Sequence, residues 1–272
     1  MPGMRSLNPL WSRDDFHARV AALAAIKEGG RVLDLGCGRG FTVPHLLAGV
    51  GASGEVVAVD RESRNLAVIR GQHPHHCAQG RLTLVELDIA GPLPFASASF
   101  DSVICQNVVE CIADRDGLLA EISRILRPGG VAVIGHYDFD GVLLASDDRE
   151  LTRRMVHGYA DHTQKWQDVS EGQMGRLLPG LVARSPFSKA ATETVLFVDL
   201  VLSKESYARD HLNGMVALSK EAGVSEESAR AWLEALRGRS DAGQFYYALP
   251  WMYVVARAAL CLQSPTARMG SA

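Results

Sequence analysis

From residue 31 to residue 137, short apolar runs alternate with stretches whose apolar residues recur every three or four positions. The first run, Val32 to Leu35 with Asp34 inside it, reads as a short buried strand. Glycines 36, 38 and 40 break it into a tight turn, and Phe41 to Ala48 follows with helical spacing. Glu55 to Asp60 is a second strand, followed by a helix over 61–70. Leu82 to Leu87 is a third, ending at Asp88-Ile89. Ser102 to Cys105 is a fourth, ending at Gln106-Asn107, and Val131 to Ile134 a fifth. Strands that alternate with helices predict an α/β protein with a parallel sheet.

The rest of the pattern is less regular. A helix with a cap at Ser12 carries Phe16, Val20, Leu23 and Ile26 on one face and stops at Gly29-Gly30. Val108 to Ile112 begins a helix, and after Asp114 a second one aligns Leu118, Leu119, Ile122, Ile125 and Leu126 before Arg127-Pro128-Gly129-Gly130 dictates a turn. Beyond it the spacing predicts a long helix over 147–166, a shorter apolar segment over 173–182 and a strand over 194–202. Amphipathic helices over 204–222 and 225–236 follow, then an aromatic-rich stretch over 243–258 that ends as the last strand. Residues 263–272 are polar and read as a disordered tail.

The glycine turn places small residues at the start of a helix, so it predicts uncovered backbone N–H groups and room for a ligand. A dinucleotide loop would need glycine or alanine three residues after its second glycine. Phe41 holds that place, and the third glycine comes one residue early. Asp60, at the end of the second strand, is positioned for a carboxylate that accepts from both ribose hydroxyls of a nucleoside.

The motifs Leu-Asp-Leu-Gly-Cys-Gly-Arg-Gly, Val-Ala-Val-Asp, Leu-Asp-Ile with Pro-Leu-Pro-Phe, Ser-Phe-Asp-Ser-Val-Ile-Cys and Leu-Arg-Pro-Gly-Gly occur in this order over residues 30–137. In order and spacing they resemble class I S-adenosylmethionine-dependent methyltransferases, in the small-molecule group related to the ubiquinone and menaquinone methylating enzymes. The segment from Trp232 to Phe245 resembles that group's C-terminal region less specifically. The resemblance implies a doubly wound, mostly parallel seven-stranded sheet of the Rossmann-like methyltransferase type, its last strand antiparallel. A helical cap is inserted between the last two strands. It divides the chain into an N-terminal helical segment (1–29), a cofactor-binding core (30–137) and the remaining strands with the cap (138–262). Its cofactor, S-adenosyl-L-methionine, would lie across the C-terminal strand ends. Gly36, Cys37, Gly38 and Gly40 would line the methionine part and Asp60 would hold the ribose. Asp88 and Ile89 would hold the adenine, with Gln106 and Asn107 near the methionine moiety. Asp34 and Arg61 belong to the same set. Cys111 stands where many relatives have His.

Methyl transfer to a phenol or an activated carbon gains from a base. His136, just past the fifth strand, is the first candidate, and Tyr137 could orient the acceptor. His157 and His162 are alternatives, whereas His17 and His211 read as surface or helix-packing residues. Tyr159, Trp166, Phe245, Tyr246, Tyr247 and Trp251 either wall an apolar acceptor pocket or pack under the cap.

Composition narrows the partners. The 272 residues are 47% hydrophobic and 22% charged, with a net charge of −3. No basic stripe points to nucleic acid as the main partner. No stretch has the length and apolarity of a membrane span or signal peptide. Cysteines 37, 77, 105, 111 and 261 contain no Cys-x-x-Cys pair, and their odd number suits a reducing cytoplasm. His73, His75, His76 and Cys77 crowd a polar loop without a distant partner set, so no metal is expected. The expected activity is methyl transfer to oxygen or carbon of a small, largely apolar metabolite. A homodimer is possible. The alternatives are a cyclisation or rearrangement by a protein that binds the same cofactor, methylation of a macromolecule, and a non-catalytic binding partner.

Overall fold

The structure is a computed structural model that describes residues 13–164, 167, 169 and 171–260. In chain order its elements are α1 (Arg13–Leu23), β1 (Arg31–Leu35), α2 (Val43–Val50), β2 (Glu55–Asp60), α3 (Ser63–Gln72), α4 (Pro74–Ala78), β3 (Leu82–Glu86) and β4 (Phe100–Gln106). They continue as α5 (Arg115–Ile125), β5 (Leu126–Tyr137), β6 (Leu143–Leu144), α6 (Arg149–Ala160), α7 (Met174–Ala183), β7 (Phe187–Asp199), α8 (Tyr207–Ala217), α9 (Glu226–Asp241) and β8 (Tyr247–Ala258).

One sheet joins the strands in the order β3-β2-β1-β4-β5-β8, with β7 on the far edge of β8. β1 to β5 are parallel, and β8 is antiparallel to both β5 and β7. Apolar residues at alternate strand positions feed two cores. Val32, Val56, Ala58, Ile104, Val131 and Val133 pack with α1, α2 and α3. The same core continues beneath α6, α8 and α9 through Tyr247, Leu249, Trp251 and Tyr253. Leu33, Leu35, Val57, Val59, Val103, Ala132 and Ile134 pack on the other face with α5 and α7. Helices on both faces make the sheet doubly wound. α8 and α9 fall between β7 and β8, as expected for an inserted cap.

Several boundaries differ from the sequence reading. The sheet has an eighth member, the two-residue β6, which bonds Leu143 and Leu144 to β8 beyond the end of β5. β5 starts at Leu126 because Leu126 already pairs with Phe100. Arg127 to Gly130 loop out before Val131 resumes opposite Ser102. β7 starts at Phe187 instead of Thr194. Its first half is small and polar, and pairing with β8, not apolar pattern, holds it in the sheet. The histidine-rich loop contains a short helix, α4, opened by Pro74 at its first turn. Helix α6 stops at Ala160, six residues short of the predicted end. The turn Val109–Cys111 is a single 3₁₀ turn. Ser12, Trp166, Cys261 and residues 263–272 lie outside the described residues.

Candidate cofactor and acceptor cavity

The C-terminal ends of β1, β2, β3, β4 and β5 open on one side into a cavity of about 580 Å³, the place where open α/β sheets hold ligands. Asp34, Gly36, Cys37, Gly38, Asp60, Arg61, Asp88, Ile89, Gln106, Asn107 and Tyr137 all line it. Of the residues the sequence assigns to the cofactor, only Gly40 does not. Its φ is +78°, and a Cβ there would press on Ile69, so it serves the packing of the turn.

The turn itself works differently from the sequence expectation. Four of its amides are already used. Gly36 and Cys37 N–H both donate to Val59 O at 2.8 Å, Gly38 N–H to Asp60 Oδ2 at 2.8 Å, and Gly40 N–H to Cys37 O at 3.0 Å. What the turn contributes is space and a tie to β2. Gly36 has φ +75° and no room for a Cβ against Val108, whereas Gly38 has φ +52° and nothing within 4 Å. Asp60 is the hub of that tie. Its Oδ1 also accepts from Glu62 N–H at 2.9 Å and Asn65 Nδ2 at 3.1 Å. A carboxylate offers about four acceptor sites, so about one remains for a ligand.

Asp34 is the electrostatic anomaly. It is 3% exposed, and its Oδ2 has no hydrogen-bond partner among the described residues. Burial, with the Asp60 charge adding to it, pushes its carboxyl up to about 7. Burial likewise raises the Cys37 thiol, so Cys37 lines the wall as a neutral group. Asp88 folds back on its own loop, with Oδ1 accepting from Ala90 N–H at 3.0 Å. Asn107 adopts φ +58°, a conformation asparagine tolerates, and its N–H donates to Gly135 O at 2.8 Å.

The base candidates separate by face. Tyr137 pairs across the sheet with Trp251, and both line the cavity. His136 pairs with Met252 and takes the other face. It is fully buried and does not line the cavity. Its Nδ1 lies 3.0 Å from Tyr137 O and its Nε2 3.7 Å from the carboxylate of buried Glu110. Burial pushes the imidazole down to about 4 and the Glu110 carboxyl up to about 7, even though Gln167 donates to that carboxylate at 2.7 Å. An imidazole held there does not reach an acceptor in the cavity. His157, 3.5 Å from Asp140, and His162, paired with Glu221, are also outside it. His211 is half-buried in the cap, its Nδ1 2.7 Å from Tyr247 OH. His17, read as a surface or packing residue, does line the cavity, with Nδ1 2.8 Å from Thr42 Oγ1 and its ring stacked on Phe41.

The expected aromatic wall is likewise redistributed. Trp251 is on it. Tyr159 instead meets Phe139 and His211 behind the cavity, Phe245 is buried in the core, and Tyr246 is on the surface. The aromatic wall is built by Phe16 of α1, Tyr137, Tyr207 of α8 and Trp251, with Val108 and Ile112 beside them. Phe16 begins the apolar stripe of α1, so its burial is readable. Nothing in the spacing says that α1 lies across the strand ends. Among the described residues no three His, Cys, Asp or Glu side chains stand together to hold a metal ion, and no helix is long and apolar enough to cross a membrane.

Comparison with known proteins agrees with the geometry. The profile of a methyltransferase domain matches residues 33–134. Over 237 residues the chain is 30% identical to an uncharacterized 37.1 kDa protein in transposon TN4556 of Streptomyces fradiae, covering 85% of this chain and 64% of that protein. Over 107 residues it is 35% identical to the ubiquinone/menaquinone biosynthesis C-methyltransferase UbiE of Hahella chejuensis, covering 39% and 43%. The chain thus spans less than two thirds of the length of these curated relatives. The [4+2]-cyclase SpnF has the same fold, with a TM-score of 0.56 at 15% identity over 91% of this chain and 81% of its own. The cavity residues fit S-adenosylmethionine. The unpaired Asp34 oxygen suits a cationic ligand, Asp60 retains a site for a hydroxyl, and Gly38 leaves the floor between them open.

Proposed function

We propose that the chain is a class I S-adenosylmethionine-dependent methyltransferase and that it moves a methyl group to oxygen or carbon of a small, largely apolar acceptor. The observation that carries this reading is the division of the cavity. Its β3-β2-β1 side is polar, with Asp34, Asp60 and Asp88. Beyond Gln106 and Asn107 at the end of β4, its β5-β8 side, closed by α1 and α8, is mostly apolar, with Val108, Ile112, Tyr137, Trp251, Phe16 and Tyr207. When bound, S-adenosylmethionine supplies a methyl activated on a sulfonium. Asp34 would oppose the positive charge of the ligand and Asp60 would accept from a ribose hydroxyl. Leu87, Asp88 and Ile89 would flank the adenine, and Gln106 and Asn107 would face the methionine portion. The aromatic wall would exclude water and hold the acceptor in line.

The placement of His136 supports a role in packing, not in proton transfer. Tyr137 would orient the acceptor. His17, held by the Thr42 hydroxyl, is the imidazole on the wall and would take up an acceptor proton. The test is incubation with S-adenosylmethionine and a panel of phenols and activated carbon acids, read by mass. A product heavier by one methyl is the expected outcome. A product isomeric with its acceptor would overturn methyl transfer in favour of cyclisation or rearrangement.

A further inference from the structure

Thr42 precedes α2 at the position where a threonine hydroxyl ordinarily caps a helix. It does not cap this one. Its backbone is already helical, with φ −83° and ψ −25°, and its side chain bonds to none of the helix N–H groups. The two residues whose amides could use the hydroxyl are Pro44 and His45. Proline has no N–H, and His45 N–H donates to the Thr42 carbonyl at 3.1 Å. Val43 N–H donates to Gly40 O and Leu46 N–H to Thr42 O, each at 3.1 Å. The first turn of α2 therefore makes no use of the Thr42 hydroxyl. That hydroxyl instead stands 2.8 Å from Nδ1 of His17, on α1. Thr42 is 5% exposed, so the bond is sheltered from water. The imidazole is also stacked on Phe41, with ring centroids 5.6 Å apart, and set edge-on to Phe16 at 5.1 Å. All four residues line the cavity.

A hydroxyl can serve Nδ1 as donor or as acceptor. We infer that Thr42 accepts from His17 Nδ1–H and is thereby the positioning residue of that imidazole, keeping the ring's lone pair on Nε2. The inference rests on the proton uptake proposed above for His17, which needs that lone pair. When the O–H bond of a phenolic acceptor breaks, its electron pair stays on oxygen and the proton forms a bond to Nε2. Nδ1–H is present in both the neutral ring and the imidazolium, so the bond to Thr42 survives the step and the ring need not turn. In the opposite sense the Thr42 proton would occupy the Nδ1 lone pair and Nε2 would carry hydrogen. The ring would then have no lone pair at which to take up a proton. Thr42 stands two residues after Gly40, so this one bond also ties the glycine turn to the imidazole on α1.

The experiment is long-range proton–nitrogen NMR of the intact protein with isotope-labelled histidines, saturated with S-adenosylhomocysteine. It is run at about pH 9, where an ordinary imidazole is neutral. The His17 ring is assigned through its Overhauser contacts to Phe16 and Phe41, so the wild-type spectrum decides even if a variant fails to fold. In the wild type the Nδ1–H tautomer is expected to exceed the Nε2–H tautomer by about tenfold, the effect of one sheltered hydrogen bond. In Thr42→Val that excess should be lost, and Thr42→Ser should restore it. A bond that merely fastened α1 to α2 would lower the melting temperature of Thr42→Val and leave the tautomer where it was. A wild-type ring with its proton on Nε2, or an unchanged tautomer in Thr42→Val, overturns the inference. Failure of S-adenosylhomocysteine itself to bind would defeat the methyltransferase reading. The wrong tautomer with that ligand bound defeats the roles of Thr42 and His17 alone, and methyl transfer still stands or falls by the mass of the product.

Discussion

Asp34 lies in the strand flanked by β2 and β4, with one carboxylate oxygen unpaired. The folded state raises its pKa from about 3.9 to about 7, so its contribution to stability falls as pH rises through that window. Asp34→Asn should melt higher than the wild type at pH 8 and close to it at pH 4. The same variant should bind S-adenosylmethionine more weakly at pH 8. In the wild type that binding should weaken as pH falls below about 7, and in the variant it should be nearly independent of pH. A variant that melts lower at pH 8, or keeps the pH dependence, would remove the assignment. The identity of Asp34 was readable in the motif; its unpaired oxygen was not, because that depends on neighbours brought by other strands. His136 shows the reverse case. Strand alternation alone says that His136 and Tyr137 cannot both face one site, and the cavity lies on the tyrosine's side.

The glycine turn is the element on which the site depends, and its glycines are not equivalent. Gly36 has both a left-handed backbone and Val108 against it, whereas Gly38 has the backbone conformation without the contact. Gly38→Ala should cost about 1 kcal/mol. Gly36→Ala should cost more, with a lower urea midpoint and loss of cofactor binding, because β1 and the turn after β4 must separate. Equal midpoints would contradict this packing. Strands with dense branched residues, β1, β2 and β4, were legible in sequence because each is buried on both faces. The first half of β7 was not. Ser188, Ala190, Ala191 and Thr192 carry no apolar signal, and the pairing partner β8 lies more than fifty residues downstream.

At the scale of the molecule, buried titratable groups act in opposite directions. Asp34 and Glu110 are raised to about 7, and His136 and His211 are lowered to about 4, each chiefly by burial. The carboxyls lose stability as pH rises from about 4 to 7, whereas the imidazoles lose it as pH falls from about 6.5 to 4. The melting temperature should therefore stay nearly level across that range. In the double variant Asp34→Asn, Glu110→Gln it should climb with pH, and a level profile there would contradict the compensation. The cap over this core was only partly legible. Its two helices show in their amphipathic spacing, but which of its aromatics reach the cavity is decided by how α1 and α8 lie across the strand ends.

The roles proposed for Asp34, Asp60 and Asp88 require the cavity at those strand ends to be a nucleoside-sulfonium site. Calorimetric titration with S-adenosylhomocysteine, and separately with NADH, tests this most directly. The predicted result is saturable one-to-one binding of the first and none of the second, weakened about tenfold or more in Asp60→Ala. No heat with S-adenosylhomocysteine, or binding of NADH in its place, would contradict it.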